Sequence, residues 1–220
     1  GTVITQASTP VAAAGVTIAS LPTDNPANWT PNVLDGQVNT IWQFGNKVVV
    51  GGTFTQISDS DRNGGTVYDR AYLAAFDATT GVIDPAFDPV LSSDVEVVIP
   101  AADGTTMYIG GDFNTIDGTN RRKVARLNIS DGSLVTGFNA NGVNARVRDL
   151  RLVGSDLYMA GLFTTVGGQA RTYLASLNAA NGAVTTKLNL TLSGLHNGGV
   201  GKVIKIDTTP DGGRLLIEGN

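Results

Sequence analysis

The chain has 220 residues, with 28 glycines, no cysteine, 15% charged residues and a formal net charge of −4. That balance offers no broad electrostatic attraction to nucleic acid or anionic lipid, and the missing cysteine excludes disulfides and thiol chemistry. No apolar run approaches the roughly 20 residues that span a bilayer, while a hydrophobic content of 41% is enough for a buried core.

Residues 1–15 carry Thr, Ala, Pro and Ser but no charge, and read as an extended leader or edge strand. Residues 16–21 and 28–32 read as the third and fourth strands of a unit that becomes legible only further along. From residue 38 the sequence repeats. Two apolar runs, 38–42 and 47–50, return as 95–99 and 106–109, as 147–152 and 156–159, and as 203–206 and 214–217. Gly45-Asn46, Asp103-Gly104, Gly154-Ser155 and Asp211-Gly212-Gly213 lie between the runs, and tight hairpins need such residues for their positive φ. Each second run ends on a shared phrase: Gly51-Gly52-Thr53-Phe54, Gly110-Gly111-Asp112-Phe113, Ala160-Gly161-Leu162-Phe163, then Glu218-Gly219-Asn220. The second glycine recurs after 59, 50 and 58 residues. A third run comes next at 72–76, 124–127 and 173–177, then a turn at Thr80-Gly81, Asp131-Gly132 or Asn181-Gly182, then a polar fourth run at 85–88, 136–139 and 186–189.

Short strands at a period near 50 residues mark a repeat architecture. Four antiparallel strands per unit predict an all-β fold, a β-propeller of four-stranded blades. The boundaries are a half blade at 16–37, blades at 38–94, 95–146 and 147–196, and a half blade at 197–220. The halves either join to close a four-bladed ring or belong to a larger ring of six to eight blades. The paired glycines are predicted to sit where a side chain would obstruct the next blade or the turn. Phe54, Phe113, Phe163, Phe87 and Phe138 are predicted to fill the wedge between sheets.

The stretch Tyr108-Ile109-Gly110-Gly111-Asp112-Phe113-Asn114-Thr115-Ile116-Asp117-Gly118 resembles the delta-60 repeat, a β-propeller repeat of bacterial secreted and surface proteins whose function is unassigned. Phe163-Thr164-Thr165-Val166-Gly167-Gly168-Gln169-Ala170-Arg171 resembles it as well, and the likeness runs over about residues 16–220. It implies an extracellular setting beside adhesive or carbohydrate-associated modules. It names no activity, since propellers host many.

Blade one holds the main local anomaly. Phe54 to Ala74 spans 20 residues, against 12 from Phe113 to Ala125 and from Phe163 to Ala175. The extra residues include Asp59, Asp61, Asn63 and Gly64, a D-x-D-x-N-G pattern like the front of a calcium loop, with Asp69 as a further oxygen donor. The competing reading is a polar surface turn. Arg121, Arg122 and Lys123 form a basic trio, an anion site or a solvated strand edge. Arg70, Arg122 and Arg171 are read as equivalent residues that pair at each blade corner. Tyr68 is the aromatic expected to be exposed for a ligand, and Trp42 is expected to pack in an inner strand. His196, the single histidine, lacks a nucleophile partner and reads as a loop residue. Three N-x-S/T triplets begin at Asn28, Asn128 and Asn189 and are unsurprising in this composition.

No phosphate loop, G-x-S-x-G, H-E-x-x-H or dinucleotide fingerprint occurs. The reading is therefore a non-catalytic module of an exported protein, holding a protein or glycan on its loops, with calcium as the one candidate cofactor and no nucleic-acid or membrane-inserting role. The alternatives are a polysaccharide hydrolase or lyase, and an assembly subunit whose ring another chain completes.

Overall fold

A computed structural model describes residues 29–190, 192, 201–209 and 213–219. The leader, the strand expected at 16–21, Asn28 and the His196 loop lie outside the described residues. Among these the fold is all β, apart from one 3₁₀ turn at Asp61–Asn63.

The connector before the first repeat contributes β1 (Asn32–Val33), and the first repeat contributes β2 (Val38–Phe44), β3 (Lys47–Gly52), β4 (Gln56–Ser58), β5 (Val67–Asp69) and β6 (Leu73–Asp77). The second contributes β7 (Val95–Pro100), β8 (Thr106–Gly111), β9 (Thr115–Ile116), β10 (Thr119–Asn120) and β11 (Val124–Asn128). The third has β12 (Val147–Val153), β13 (Asp156–Gly161), β14 (Thr165–Val166), β15 (Gln169–Ala170) and β16 (Leu174–Asn178), and the fourth has β17 (Val203–Thr208) and β18 (Leu215–Gly219).

These strands build three antiparallel sheets of like design, β2-β3-β6, β7-β8-β11 and β12-β13-β16, then the pair β17-β18. Their inner strands stand side by side, β2 next to β7, β7 next to β12 and β12 next to β17. The core is accordingly divided among the gaps between sheets. Val49, Leu73 and Ala75 of the first sheet pack with Val98, Met107, Ile109 and Phe113 of the second. Tyr108 and Val124 of the second pack with Leu150, Met159 and Phe163 of the third. Each sheet thus depends on its neighbours to cover its apolar face.

Phe54, Phe113, Phe163, Phe87 and Phe138 are all fully buried, as their repeat positions predict. The fourth strand needs correction. Only one bridge per repeat joins the third strand to the chain beyond it: Phe76 with Ile83, Leu127 with Leu134, and Leu177 with Val184. Past the bridge the chain turns, with the Phe87 N–H on the Asp84 carbonyl and the Phe138 N–H on the Val135 carbonyl. Pro85 has no N–H for a ladder, and the turn carries the phenyl rings inward.

A second departure lies between the second and third strands of each unit. The residues after each Phe form small pairings of their own, β4 with β5, β9 with β10 and β14 with β15. The connector from the preceding repeat docks on them, through Val33 on Ile57, Leu91 on Ile116 and Val143 on Val166. A polar side chain clasps each junction by accepting two backbone N–H groups. Asp35 takes those of Thr55 and Gln56, the Ser92 hydroxyl those of Asn114 and Thr115, and Asn144 those of Thr164 and Thr165.

The two repeated glycines have different causes. A Cβ on Gly51 or Gly110 would lie 2.7 Å from Cγ1 of Val95 or Val147 in the next sheet. A Cβ on Gly52, Gly111, Gly161 or Gly219 would strike the backbone oxygen of Gln37, Asp94, Arg146 or Lys202 just before the inner strand of its own sheet. That strand shifts register there, at Val38/Thr40, Val95/Val97, Val147/Asp149 and Val203/Lys205. A bulge presses its backbone on the glycine.

Candidate functional site

Antiparallel pairing gives the sheets two ends. One carries the turns at 45–46, 103–104 and 154–155, together with those near 80, 131 and 181. The other carries the small pairings and the connectors between repeats.

The inserted loop of the first repeat starts from the second end, reaches the turn near 80 through Asn63 and wraps Asp59. Its carboxylate is buried, 4% exposed, and accepts the Ile83 N–H at 2.9 Å and the Tyr68 hydroxyl at 3.1 Å. Asn63 donates to the Thr80 carbonyl and Asp69 accepts from Gln56 Nε2, both at 2.9 Å. Asp61 opens the 3₁₀ turn. Asp59, Asn63 and Asp69 thus each hold a different part of the chain. No cluster of three or more His, Cys, Asp or Glu placed to hold a metal occurs among the described residues.

Asp59 instead ties the loop to the outer bridge at Ile83. Replacing it with alanine strands a buried N–H and a hydroxyl, for an expected loss of about 1–3 kcal/mol. Chemical denaturation with and without added calcium checks this: the loss should be the same in both, and a loss confined to the calcium-loaded protein would restore the metal reading.

Tyr68 is half-buried against the first-sheet core, so it is not the free platform expected. Burial, then the hydrogen bond to Asp59 and its charge, raise its hydroxyl pKa. Tyr72 also packs on the core between the first two sheets.

The repeat arginine is Arg121, not Arg122. Leu73, Val124 and Leu174 pair with Gly51, Gly110 and Ala160, so the arginines three residues earlier are Arg70, Arg121 and Arg171. Each reaches two backbone carbonyls. Arg70 bonds Asp69 and Pro85, Arg121 bonds Asn120 and Thr136, and Arg171 bonds Ala170 and Thr185. The sequence obscures this because Arg122 is adjacent and equally basic. Lys123 pairs with Asp112 at 2.8 Å.

Charged side chains near the inner strands link one sheet to the next. Arg146 lies 3.3 Å from Asp94, 2.8 Å from Glu96 and 3.1 Å from Asp112, while Arg148 is 3.0 Å from Glu96. Arg151 bridges Asp149 and Asp207. Burial tends to raise the Asp112 pKa, but hydrogen bonds from Lys123 and Arg146 outweigh it and lower the net value. Near the turns, burial of Asp103 is likewise outweighed, by N–H groups of Thr105 and Thr106, the Thr106 hydroxyl and Arg126, which hold it at about 2. A general acid needs the opposite shift; Asp35, Asp77, Asp84, Asp131 and Asp207 are lowered in the same way as Asp103 and Asp112.

Trp42 departs from expectation. It is 41% exposed and lines an open, mostly apolar cleft of about 480 Å³ with Ile99, Pro100, Arg151 and Leu152. Three consecutive sheets contribute to this cleft, towards the turn end. A tryptophan inside an apolar run reads as core in a sequence, and only the assembled sheets reveal its exposure.

A family model described as "Domain of unknown function (DUF5122) beta-propeller" matches residues 101–143. No curated protein matches the chain. Among solved structures it is similar to the crystal structure of the computationally designed Ika8 protein, at 13% identity and a TM-score of 0.48, with 82% of this chain and 45% of that chain covered. The chain thus spans less than half the length of that protein. The family match takes in β8, β9, β10 and β11, so it is the second repeat that is similar to a β-propeller domain of unknown function.

Proposed function

We propose that this chain is a non-catalytic, extracellular binding module of an exported bacterial protein, which holds a glycan at the turn end of its propeller sheets. The observation that carries this reading is the half-exposed Trp42 in a cleft built by three sheets, with the Arg151 guanidinium beside it. An indole face takes up the apolar face of a sugar ring, and a guanidinium donates to its hydroxyls. A rigid repeat scaffold holds such groups in place without a cofactor. The inner-strand carboxylates near Arg146 and Arg151 are engaged in ion pairs, which supports binding over turnover.

The test is a glycan array with the native chain and Trp42→Ala, alongside an assay for new reducing ends. Binding by the native chain, its loss in the variant, an unchanged melting temperature and no new reducing ends would support the reading. New reducing ends, or equal binding by the variant, would overturn it.

A second reading concerns assembly and is favoured by two apolar flanks that no described residue covers. Val38 and Ile41 are exposed on β2 at one end of the series, and Leu216 and Ile217 on β18 at the other. Their counterparts Val95, Val98, Tyr108 and Ile109, inside the series, are buried. Setting the two flanks against each other closes a ring of four sheets, and inserting further sheets makes a larger one. Native mass and small-angle scattering separate these: a monomeric disc with a central hole supports the first, and an arc or a multimeric disc supports the second.

A further inference from the structure

The arginine that repeats at the connector end does not have the same electrostatic surroundings in each unit. Arg70 has a counter-charge, with Asp88 at 3.1 Å. Asp88 comes directly after Phe87, and the residue after the equivalent Phe138 is Asn139. Arg121 is buried, 9% exposed, with its Nη groups on two carbonyls and no ion pair among the described residues; Arg171, 8% exposed, likewise has none, and the Nε is unpaired in all three arginines. Burying a guanidinium without an opposite charge is costly unless a partner arrives.

Arg121 also lines an open cleft of about 440 Å³, together with Arg122, Thr119, Asn120, Asn139 and Asn141. No acidic side chain among the described residues contributes to its lining. Arg122 makes no ion pair among the described residues. Asn139 uses its Oδ1 to accept the Asn141 N–H, which leaves its amide Nδ2 free to donate. The cleft thus sets two guanidiniums beside an array of amide and hydroxyl groups, at the opposite end of the sheets from Trp42.

We propose that this cleft binds a uronate-type acidic sugar. The carboxylate takes the place that Asp88 fills in the first repeat, and the sugar hydroxyls meet Thr119, Asn120, Asn139 and Asn141. Paired guanidiniums suit a planar carboxylate. The volume exceeds what a bare inorganic anion fills and lies within the range of small-molecule sites. The amides account for a hydroxyl-bearing ligand, because each can donate and accept.

The test is titration calorimetry of the full chain at low salt with digalacturonic acid, neutral galactobiose and inorganic phosphate. Digalacturonic acid is expected to bind, and Arg122→Ala to weaken it about tenfold or more, the effect of losing a charge-assisted hydrogen bond. The sharper variant is Asn139→Asp, which installs the carboxylate of the first repeat. It should abolish binding without lowering the melting temperature. No heat with digalacturonic acid would overturn the proposal, as would equal affinity for galactobiose or for phosphate. Undiminished binding by Asn139→Asp would overturn it as well. Repeating the titrations in a Trp42→Ala background removes any heat from the other cleft, so the two sites stand or fall separately.

Discussion

Replacing Phe113 with alanine is expected to cost about 3–5 kcal/mol, the range for emptying a fully buried phenyl site. Phe113 has no exposed surface, and its cluster draws on the first sheet through Val49, Leu73 and Ala75 and on the second through Val95, Met107 and Ile109. The vacated volume therefore weakens a gap on which two sheets depend. In a stacked repeat that loss falls on the coupling between neighbours, so the unfolding transition should broaden as well as shift. Urea denaturation monitored by tryptophan fluorescence and by far-ultraviolet circular dichroism checks both effects. A loss below about 1 kcal/mol would mean that the gap repacks and that the phenyl is not its principal filler.

Gly111→Ala is expected to be about as damaging, and for a different reason. Its Cβ would be driven into the Asp94 backbone oxygen. A backbone atom fixed by a bulge cannot rotate away as a side chain does, so the expected cost is about 3 kcal/mol or more, at the upper end of overpacking effects. The adjacent Gly110→Ala supplies the contrast. Its new methyl would lie 2.7 Å from Cγ1 of Val147 and 2.9 Å from Cγ1 of Val97, both side-chain atoms. The third repeat carries Ala160 at that place, fully buried within its sheet. About 1–2 kcal/mol is expected for Gly110→Ala. Thermal melts of the two variants side by side decide the matter, and equal losses would contradict the separate causes assigned to the two glycines.

Particular residues explain why some features are legible in the sequence. The hairpin turns at Gly45-Asn46 and Gly154-Ser155 and the phenylalanines after the glycines are local signals repeated at a fixed offset, so chance agreement is small. The polar fourth run misleads because four residues of acceptable strand composition say nothing about whether the neighbouring strand still lies alongside. At 85–88 the chain has already turned to carry Phe87 inward. The small pairings after each Phe are only two or three residues long, too short for any periodicity.

The D-x-D-x-N-G pattern has the residues of a calcium loop, but the sequence does not show that Asp59, Asn63 and Asp69 each engage a different part of the chain. Asp59 is buried against Ile83, which lies 24 residues away. Trp42 reads as core because its run is apolar, although the equivalent residues Ile99 and Arg151 already differ in character. Asn139 carries no signal alone, since its meaning comes only from comparison with Asp88 once both have been set beside their arginines.

By itself the sequence determined the unit and its punctuation: the first three strands, the hairpin turns between them and the burial of the repeated phenylalanines. These depend on residues a few positions apart, whose backbone and burial preferences act locally. The tertiary structure alone decided how many strands each sheet keeps, which arginine is the repeated one and which side chains remain open to a ligand. Tyr72, Lys123 and Tyr173 illustrate this, held at φ of 71°, 70° and 66°. None of them favours that conformation. Each is held there because its N–H meets the carbonyl of Phe54, Phe113 or Phe163 and its own carbonyl meets the N–H of Gly52, Gly111 or Gly161. Bonds between segments distant in the chain override the preference of the residue, and no local reading of the sequence anticipates them.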